Sequence, residues 1–198
     1  MLLSNPYVVV ISLDFSKAFD TVRHSTLLEK MAQLNMPDEV YNWSVDYFSG
    51  HAHCTVYRDQ RSTLKAISII QGSAIGPAAC MVNAGDLQAV TSNNQLIKFA
   101  DDTYLVISAS NVDTQSAEID NIETWARENN LMLNRTKMKE IIFVDTKRRR
   151  QVAAPPALPG IDRVTSLKIL GVTMTNDISV SDHIRHIISD CTQTLYAL

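Results

Sequence analysis

The first strongly apolar segment of the chain is YVVVISL at Tyr7–Leu13, a run rich in β-branched residues that ends at Asp14. A run of this kind is typical of a strand buried on both faces. The pattern then changes, because apolar residues recur at helical spacing between 22 and 34, and a second helical stretch begins at Pro37 and continues to Phe48. We therefore predict one buried strand followed by two helices.

The remainder of the chain alternates between strand-like and helix-like patterns. Strands are predicted at 53–57, 63–70, 138–144 and 167–173. A further pair of strands is predicted around the sequence KFADDTYLV at 98–106, one before and one after its two aspartates. Helices are predicted at 77–90, 113–129 and 180–198. This mixture, with a buried first strand, predicts an α+β fold in which helices pack on one face of a sheet.

The segment KRRRQVAAPPALPG at 147–160 differs from its surroundings, because it combines a basic run with proline and glycine. We predict an exposed loop. Its KRRR run could bind phosphates or act as a nuclear localisation signal, and a simply solvated loop is the alternative.

Two adjacent carboxylates, Asp101 and Asp102, lie between the two apolar halves of KFADDTYLV. We predict a hairpin whose tight turn carries both of them. Such a turn favours glycine, and like charges side by side repel each other unless a cation lies between them. Two interpretations are open at this point: the pair caps a turn or a helix start, or it is half of a metal site.

Asp14 lies 87 residues before Asp101, and the predicted sheet could bring the end of the first strand beside the hairpin turn. Three clustered carboxylates without a cation would be strongly unfavourable, whereas hard divalent ions prefer oxygen ligands. The hypothesis is a site for two Mg²⁺ ions roughly 4 Å apart, which would activate an attacking hydroxyl and stabilise the leaving oxygen of a phosphoryl transfer.

Composition narrows the class of protein without identifying a partner. The chain has 198 residues, of which 45% are hydrophobic and 20% charged, as is ordinary for a globular domain. Its net charge of -3 means that nucleic acid would have to be held by a local patch. The three cysteines lack disulfide or zinc spacing, and the first segment lacks a basic leader and a membrane-length run. We expect an intracellular protein, nuclear or cytoplasmic, without membrane contact.

Five short motifs follow one another along the chain. They are LDFSKAFDTV at 13–22, QGSAIGP at 71–77, FADDTYLV at 99–106, LNRTK at 133–137 and LKILGV at 167–172. In this order they resemble motifs A to E of reverse transcriptases, and the chain resembles the palm of a non-LTR (LINE-type) retrotransposon polymerase. The resemblance implies an α+β polymerase palm, an antiparallel sheet packed on helices, with a C-terminal primer-grip-like hairpin and helix.

The resemblance also implies roles for the charged positions of these motifs. Asp14, Asp101 and Asp102 would be the catalytic carboxylates that hold two Mg²⁺ ions, for which Mn²⁺ can substitute, and the main-chain carbonyl of Phe15 would assist them. Lys137 would contact or protonate the departing pyrophosphate. The alternative for Lys137 is a solvated lysine in a turn.

Three further positions would contact the incoming nucleotide. Phe19 would be the aromatic residue that blocks a ribose 2′-OH, and Gln71 with Gly72 would form the nucleotide-binding turn. The alternative for Phe19 is packing at a helix start, and the alternative for Gln71 and Gly72 is a plain helix entry. The implied partners are an RNA template, a DNA primer and a dNTP. Leu170 and Gly171 would shape the primer-grip hairpin without taking part in the chemistry.

The motifs divide the chain into three expected parts. Residues 1–146 would be the palm with motifs A to D, 147–160 the exposed loop, and 161–198 the motif E hairpin, the closing helix and the start of a truncated thumb. The family's fingers cannot fit before motif A, so we expect a fragment that is inactive or weak in isolation. Two functions stay open: template-directed DNA synthesis by two-metal-ion nucleotidyl transfer, and an inactive retrotransposon remnant that at most binds nucleic acid or protein.

Overall fold

A computed structural model of the chain describes residues 1–16, 21–50, 52–66, 69, 73–144 and 153–196. The strands, in chain order, are β1 (Tyr7–Leu13), β2 (Phe15–Ser16), β3 (Ala52–His53), β4 (Val56–Tyr57), β5 (Gln60–Arg61), β6 (Lys65–Ala66), β7 (Gln95–Phe99), β8 (Asp102–Ser108), β9 (Met132–Leu133), β10 (Lys139–Val144), β11 (Asp162–Val164), β12 (Ser166–Ile169) and β13 (Val172–Thr175). The helices are α1 (His24–Ala32), α2 (Asp38–Phe48), α3 (Gly76–Asn83), α4 (Gln115–Glu128) and α5 (Ser181–Tyr196), with short 3-10 helices at Ala109–Thr114 and Arg135–Lys137.

A five-stranded sheet in the order β11-β10-β1-β8-β7 forms the centre of the fold. Neighbouring strands are antiparallel, except that β11 runs parallel to β10. The first strand of the chain is therefore the central strand of the sheet, which explains why its sequence is apolar at almost every position. The predicted α+β fold, with an antiparallel sheet on helices, is confirmed.

Alternate residues of β1 face two different hydrophobic clusters. Val9, Ile11 and Leu13 pack with apolar residues of helices α1 to α4. Val8 and Val10 pack on the opposite face in a second cluster, which includes Leu167, Ile169 and Met174 of the β12–β13 hairpin. The sheet is thus covered by helices on one face and by this hairpin on the other.

The helix predicted at 77–90 is shorter in the structure, because α3 ends at Asn83. Two lysines bind the carbonyl groups at its C-terminal end: Lys30 Nζ lies 2.6 Å from the carbonyl oxygen of Asn83, and Lys98 Nζ lies 2.6 Å from those of Ala84 and Leu87. Carbonyls left without partners at a helix end are commonly satisfied in this way by cations. The helix end is set by residues from other elements, which its local pattern does not reveal.

The apolar stretch predicted as one strand at 167–173 is a hairpin. Strands β12 and β13 pair from Ser166↔Thr175 to Ile169↔Val172, so the loop between them consists of Leu170 and Gly171. These two residues have φ values of 46° and 88°. Positive φ at both loop positions is the pattern of a type I′ turn, which matches the right-handed twist of paired strands.

Two other regions differ in detail from the prediction. The strand pair expected at 53–57 and 63–70 forms two short ladders, β3 with β6 and β4 with β5, and positions 67, 68 and 70 lie outside the described residues. The expected loop at 147–160, described from 153 onward, is mostly exposed, but Pro155 is buried. The Arg163 guanidinium holds this segment by donating hydrogen bonds to the carbonyls of Pro155 and Pro156 at 2.6 and 3.1 Å.

None of the described helices has both the length and the apolar character that a membrane span requires.

Candidate active site

The end of β1 and the start of β8 lie side by side. Antiparallel pairing places Leu13 opposite Thr103. One step further in the same register, Asp14 follows Leu13 and Asp102 precedes Thr103. Residues that are opposite one another in an antiparallel pair share a face, so the register sets these two acidic positions next to each other.

The turn between β7 and β8 carries one aspartate. Phe99 pairs with Asp102, which is already the first residue of β8, so Ala100 and Asp101 form the turn. Ala100 has a φ of 53°, and a positive φ at the first of the two positions alone is the pattern of a type II′ turn, which prefers glycine there. The prediction that both aspartates occupy the turn is wrong, because strand pairing continues through Asp102.

The two neighbouring aspartates have different surroundings. Asp101 lines a small cavity on the helix side of the sheet together with Phe15, Cys80 and Trp125. Asp102 is on the other face by strand alternation, the face on which Tyr104 packs under the β12–β13 hairpin.

Burial and, secondarily, negative charge raise the pKa values of several groups around the turn. Burial and then the charge of Asp101 raise the pKa of the Asp102 carboxyl above its ordinary value. Burial and, secondarily, Asp101 raise the pKa of the Cys80 thiol to about 11, so that it is protonated at neutral pH. Burial and then Asp102 raise the pKa of the Tyr104 phenol. A bound cation would reverse the electrostatic part of each shift.

Asp14 has one carboxylate oxygen, Oδ2, that is buried and accepts no hydrogen bond from the residues that the structure describes. The ammonium group of Lys137 lies 3.6 Å from this oxygen, within ion-pair distance but too far for a hydrogen bond. The main-chain carbonyl of Asp14 accepts a hydrogen bond of 2.8 Å from the Asn134 amide, which holds the LNRTK segment beside it. Buried acceptors are normally satisfied, so this oxygen is an acceptor that the surrounding protein leaves open.

Phe15 joins the site to the core. Its ring lies 5.9 Å from that of Trp125 in an edge-to-face arrangement. Phe15 also pairs with Leu133 across β2 and β9. Because the Asn134 amide bonds to the preceding residue, Asp14, the alternation of an antiparallel pair directs the Phe15 carbonyl away from β9. The ladder therefore leaves that carbonyl free for another partner.

The oxygens at this end of the sheet have the chemistry of a divalent metal site. Mg²⁺ prefers carboxylate and carbonyl oxygens, and this end of the sheet offers Oδ2 of Asp14 and the Asp102 carboxyl, whose pKa is raised by burial and then by the charge of Asp101. Across the described ranges, however, no group of three or more His, Cys, Asp or Glu side chains could hold a metal ion. The register sets Asp14 beside Asp102, whereas Asp101 faces the cavity.

Three predicted site residues, Phe19, Gln71 and Gly72, lie outside the described residues. The sequence after Gly72 enters α3, where the Ser73 hydroxyl accepts a hydrogen bond of 3.0 Å from the Gly76 amide.

Residues that support the turn were not identified from the sequence. Lys98, whose pKa is lowered mainly by burial, ties β7 to the end of α3 through two carbonyl groups. Trp125 donates a hydrogen bond of 3.0 Å to Asp86, and the Lys30 ammonium lies 5.1 Å from the centre of its ring. The available signal was a lysine inside the apolar strand QLIKF, since a lysine is seldom buried without partners.

The sequence of this chain is similar to known proteins over most of its length. The sequence pattern of the family described as reverse transcriptase (RNA-dependent DNA polymerase) matches residues 3–174. A curated protein of Drosophila melanogaster, the probable RNA-directed DNA polymerase from transposon BS, is 25% identical over 208 aligned positions, which cover 97% of this chain and 23% of that protein. The chain therefore spans about a quarter of the length of this relative.

Solved structures with a similar fold include telomerases. Telomerase of Candida tropicalis in complex with a TWJ fragment of telomeric RNA matches with a TM-score of 0.61 at 11% identity, covering 91% of this chain and 30% of that chain. Apo telomerase of the same organism, truncated from its C-terminal domain, matches with a TM-score of 0.59 at 13% identity, covering 89% of this chain and 35% of that chain. At such identities the likeness establishes the shared fold alone.

Proposed function

Because the chain belongs to the reverse transcriptase (RNA-dependent DNA polymerase) family, we propose that it is the palm of a non-LTR retrotransposon polymerase and contributes the centre for template-directed DNA synthesis. The transposon origin of the Drosophila relative supports the non-LTR assignment. The proposed substrates are an RNA template, a DNA primer and a dNTP, and the proposed cofactor is Mg²⁺.

One observation carries the proposal. The β1–β8 register sets Asp14 of the LDFSKAFDTV motif next to Asp102 of the FADDTYLV motif, and no residue in the described part of the chain donates a hydrogen bond to the buried Oδ2 of Asp14. A structural carboxylate in this position would be expected to have one. Acceptors left open beside a second carboxylate suit an external cation.

The residues of the proposed site would have distinct roles in metal binding and in the release of pyrophosphate. Asp14 and Asp102 would hold the divalent ions, with the main-chain carbonyl of Phe15 as a further ligand, and Asp101 in the adjoining turn would add its negative charge. Bound there, such ions supply activation of the primer 3′-hydroxyl and stabilisation of the charge on the leaving oxygen. Lys137 would neutralise or protonate the departing pyrophosphate.

The other motif residues would position the substrates. Phe19 would select against a ribose 2′-hydroxyl, and Gln71 with Gly72 would contact the incoming nucleotide. The β12–β13 hairpin, with its Leu170–Gly171 turn, would place the primer end over the face that carries Asp102. The inactive-remnant alternative is not favoured, since the family match runs through all five motifs.

Primer extension tests this proposal. The 198-residue chain, alone and grafted into the corresponding part of the longer transposon polymerase, is assayed on an RNA template with Mg²⁺ or Mn²⁺. Asp102→Asn should lower extension at least about a hundredfold, because a charged group that stabilises the transition state is lost. The control Asp59→Asn, in the exposed turn between β4 and β5, should leave extension unchanged. Undiminished product with Asp102→Asn would refute the assignment.

A further inference from the structure

Lys137 and a divalent cation would require the same carboxylate. Lys137 Nζ lies 3.6 Å from Asp14 Oδ2, the buried oxygen that accepts no hydrogen bond within the described ranges. Building on the proposed function, we propose that Lys137 is a competing counter-ion of Asp14: its ammonium neutralises the carboxylate until a divalent cation binds there, and is then displaced. Metal binding and release of the Lys137 side chain are coupled in this arrangement.

The backbone fixes the position from which Lys137 reaches Asp14. The Asn134 amide donates to the Asp14 carbonyl at 2.8 Å, and the Lys137 amide donates to the Asn134 carbonyl at 3.1 Å. On the other side, Ser12 pairs with Lys139 across β1 and β10. The β1–β10 ladder ends at this pair, and Lys137 lies two residues before Lys139, at the end of the 3-10 helix Arg135–Lys137. Main-chain contacts on both sides therefore hold the segment that carries Lys137 beside Asp14.

Among the described basic residues near Asp14 in the fold, Lys137 is the one placed for this role. Arg135, in the same 3-10 helix, forms an ion pair of 2.5 Å with Glu123 on α4. The main chain of Lys139 pairs with Ser12, and its side chain is exposed. Asp102, the first residue of β8, lies beside Asp14 and adds negative charge. A divalent ion would therefore neutralise two carboxylates, whereas the lysine neutralises one. This difference is what allows the cation to displace the ammonium.

The expected effect is small but measurable. The Lys137 and Asp14 side chains are 65% and 38% exposed, and an ion pair in such contact with water contributes little. Removing Lys137 should therefore tighten cation binding about two- to fivefold at low ionic strength. The gain should shrink as salt is added, because exposed charges are screened.

Binding of Mn²⁺ alone, followed by electron paramagnetic resonance on the full 198-residue chain, tests the competition. Lys137→Met should bind Mn²⁺ about two- to fivefold more tightly than the unmodified chain. Lys137→Arg, which keeps the charge, should restore the original affinity, and the exposed neighbour Lys139→Met should leave it unchanged. Equal affinities in Lys137→Met and the unmodified chain would overturn the proposal.

A second readout follows the displaced side chain itself. After reductive ¹³C-methylation of lysines, which keeps their charge, the Lys137 resonance, assigned by its loss in Lys137→Met, should shift on addition of Mg²⁺. The Lys139 resonance should stay in place. In Asp14→Asn the Lys137 resonance should start at the displaced position and not respond. A Lys137 resonance that ignores Mg²⁺ in the unmodified chain contradicts displacement.

The two proposals fail in different ways. If Mn²⁺ binds equally well to the unmodified chain and to Asp14→Asn, or to neither, the metal site of the proposed function is refuted together with the competition. If binding depends on Asp14 but is insensitive to Lys137→Met, the metal site stands and only the competition is refuted.

Discussion

Two carboxylate environments in this protein contrast sharply. Glu118 on α4 is fully buried, and its oxygens accept hydrogen bonds from the amides of Val90 and Thr91 and from the Asn94 side chain at 2.8 to 3.0 Å. At the other end of the sheet, the buried Oδ2 of Asp14 accepts none from the described residues, and burial and the charge of Asp101 raise the pKa of the partly exposed Asp102 carboxyl. The hydrogen-bonding capacity of the Glu118 carboxylate is met by the protein, whereas that of Asp14 Oδ2 is not.

The contrast separates an acid that maintains the fold from acids available to a ligand. The Glu118 carboxylate joins the segment before β7 to α4, and all of its partners belong to the same chain. Carboxylates without such partners cost stability and persist in folded proteins mainly where function requires them. The same comparison predicts opposite responses to mutation in the two regions.

The largest effect is expected for Glu118→Ala. The change removes the acceptor of two part-buried main-chain amides and of the buried Asn94 side chain, which should lower the free energy of unfolding by roughly 3 kcal/mol. Urea denaturation followed by circular dichroism measures it. The control Glu128→Ala, an exposed residue at the end of the same helix, should cost less than about 0.5 kcal/mol. A loss below about 1 kcal/mol for Glu118→Ala would show that its hydrogen bonds do not anchor this region.

An intermediate effect is expected for Arg163→Met. Glu140 is fully buried and its Oε1 lies 2.7 Å from the Arg163 guanidinium, so the variant leaves a buried charge unpaired. Breaking such a pair should cost about 2 kcal/mol, less than for a fully enclosed pair because Arg163 is partly exposed. Arg185→Met, which removes an exposed ion pair with Asp182, is the matched control and should change stability by less than about 0.5 kcal/mol. Similar losses of stability in Arg163→Met and Arg185→Met would show that the buried ion pair contributes no more than the exposed one.

The smallest effect, of opposite sign, is expected for Asp102→Asn. The pKa of Asp102 is raised above its ordinary 3.8 in the folded state, so the folded protein binds more protons than the unfolded chain. Stability therefore falls as pH rises from the ordinary to the raised value. At pH 7 the variant should be more stable than the unmodified chain, by less than about 1 kcal/mol because Asp102 is exposed.

Unfolding of both proteins between pH 3 and pH 7 measures this difference. It should disappear at the acidic end, where Asp102 is protonated in both states. A variant that is less stable than the unmodified chain at pH 7 would place Asp102 with Glu118 among the carboxylates that maintain the fold.

The features that were predicted correctly depend on local pattern. The run at Tyr7–Leu13 is apolar because it is buried on both faces, and the helical spacing of Ile119, Ile122 and Trp125 predicted α4. The features that were not predicted depend on distant partners. Helix α3 ends where Lys30 and Lys98 reach its carbonyls, and β11, three residues long, exists as a strand because it pairs with β10.

The candidate site divides in the same way. Asp14, Asp101 and Asp102 were identified because carboxylates in apolar surroundings are chemically unusual. Lys137 was identified only by the resemblance of LNRTK to a reverse transcriptase motif. The separation of Asp101 and Asp102 onto different sides, and the ion pair between Lys137 and Asp14, follow from strand register and turn conformation. Neither can be read from the spacing of residues along one strand, since a register joins segments far apart in the chain.

The central position of β1 has a consequence for biosynthesis. Its partners β8 and β10 are made long afterwards, and the hydrogen bond between Ser12 and Lys139 joins residues 127 positions apart. On the ribosome, the segment YVVVISL therefore has to wait for most of the chain before it finds a partner. An apolar, β-branched segment exposed for that time is prone to aggregation. This protein should consequently depend on molecular chaperones while it is being translated, and slow loop closure should limit its folding rate.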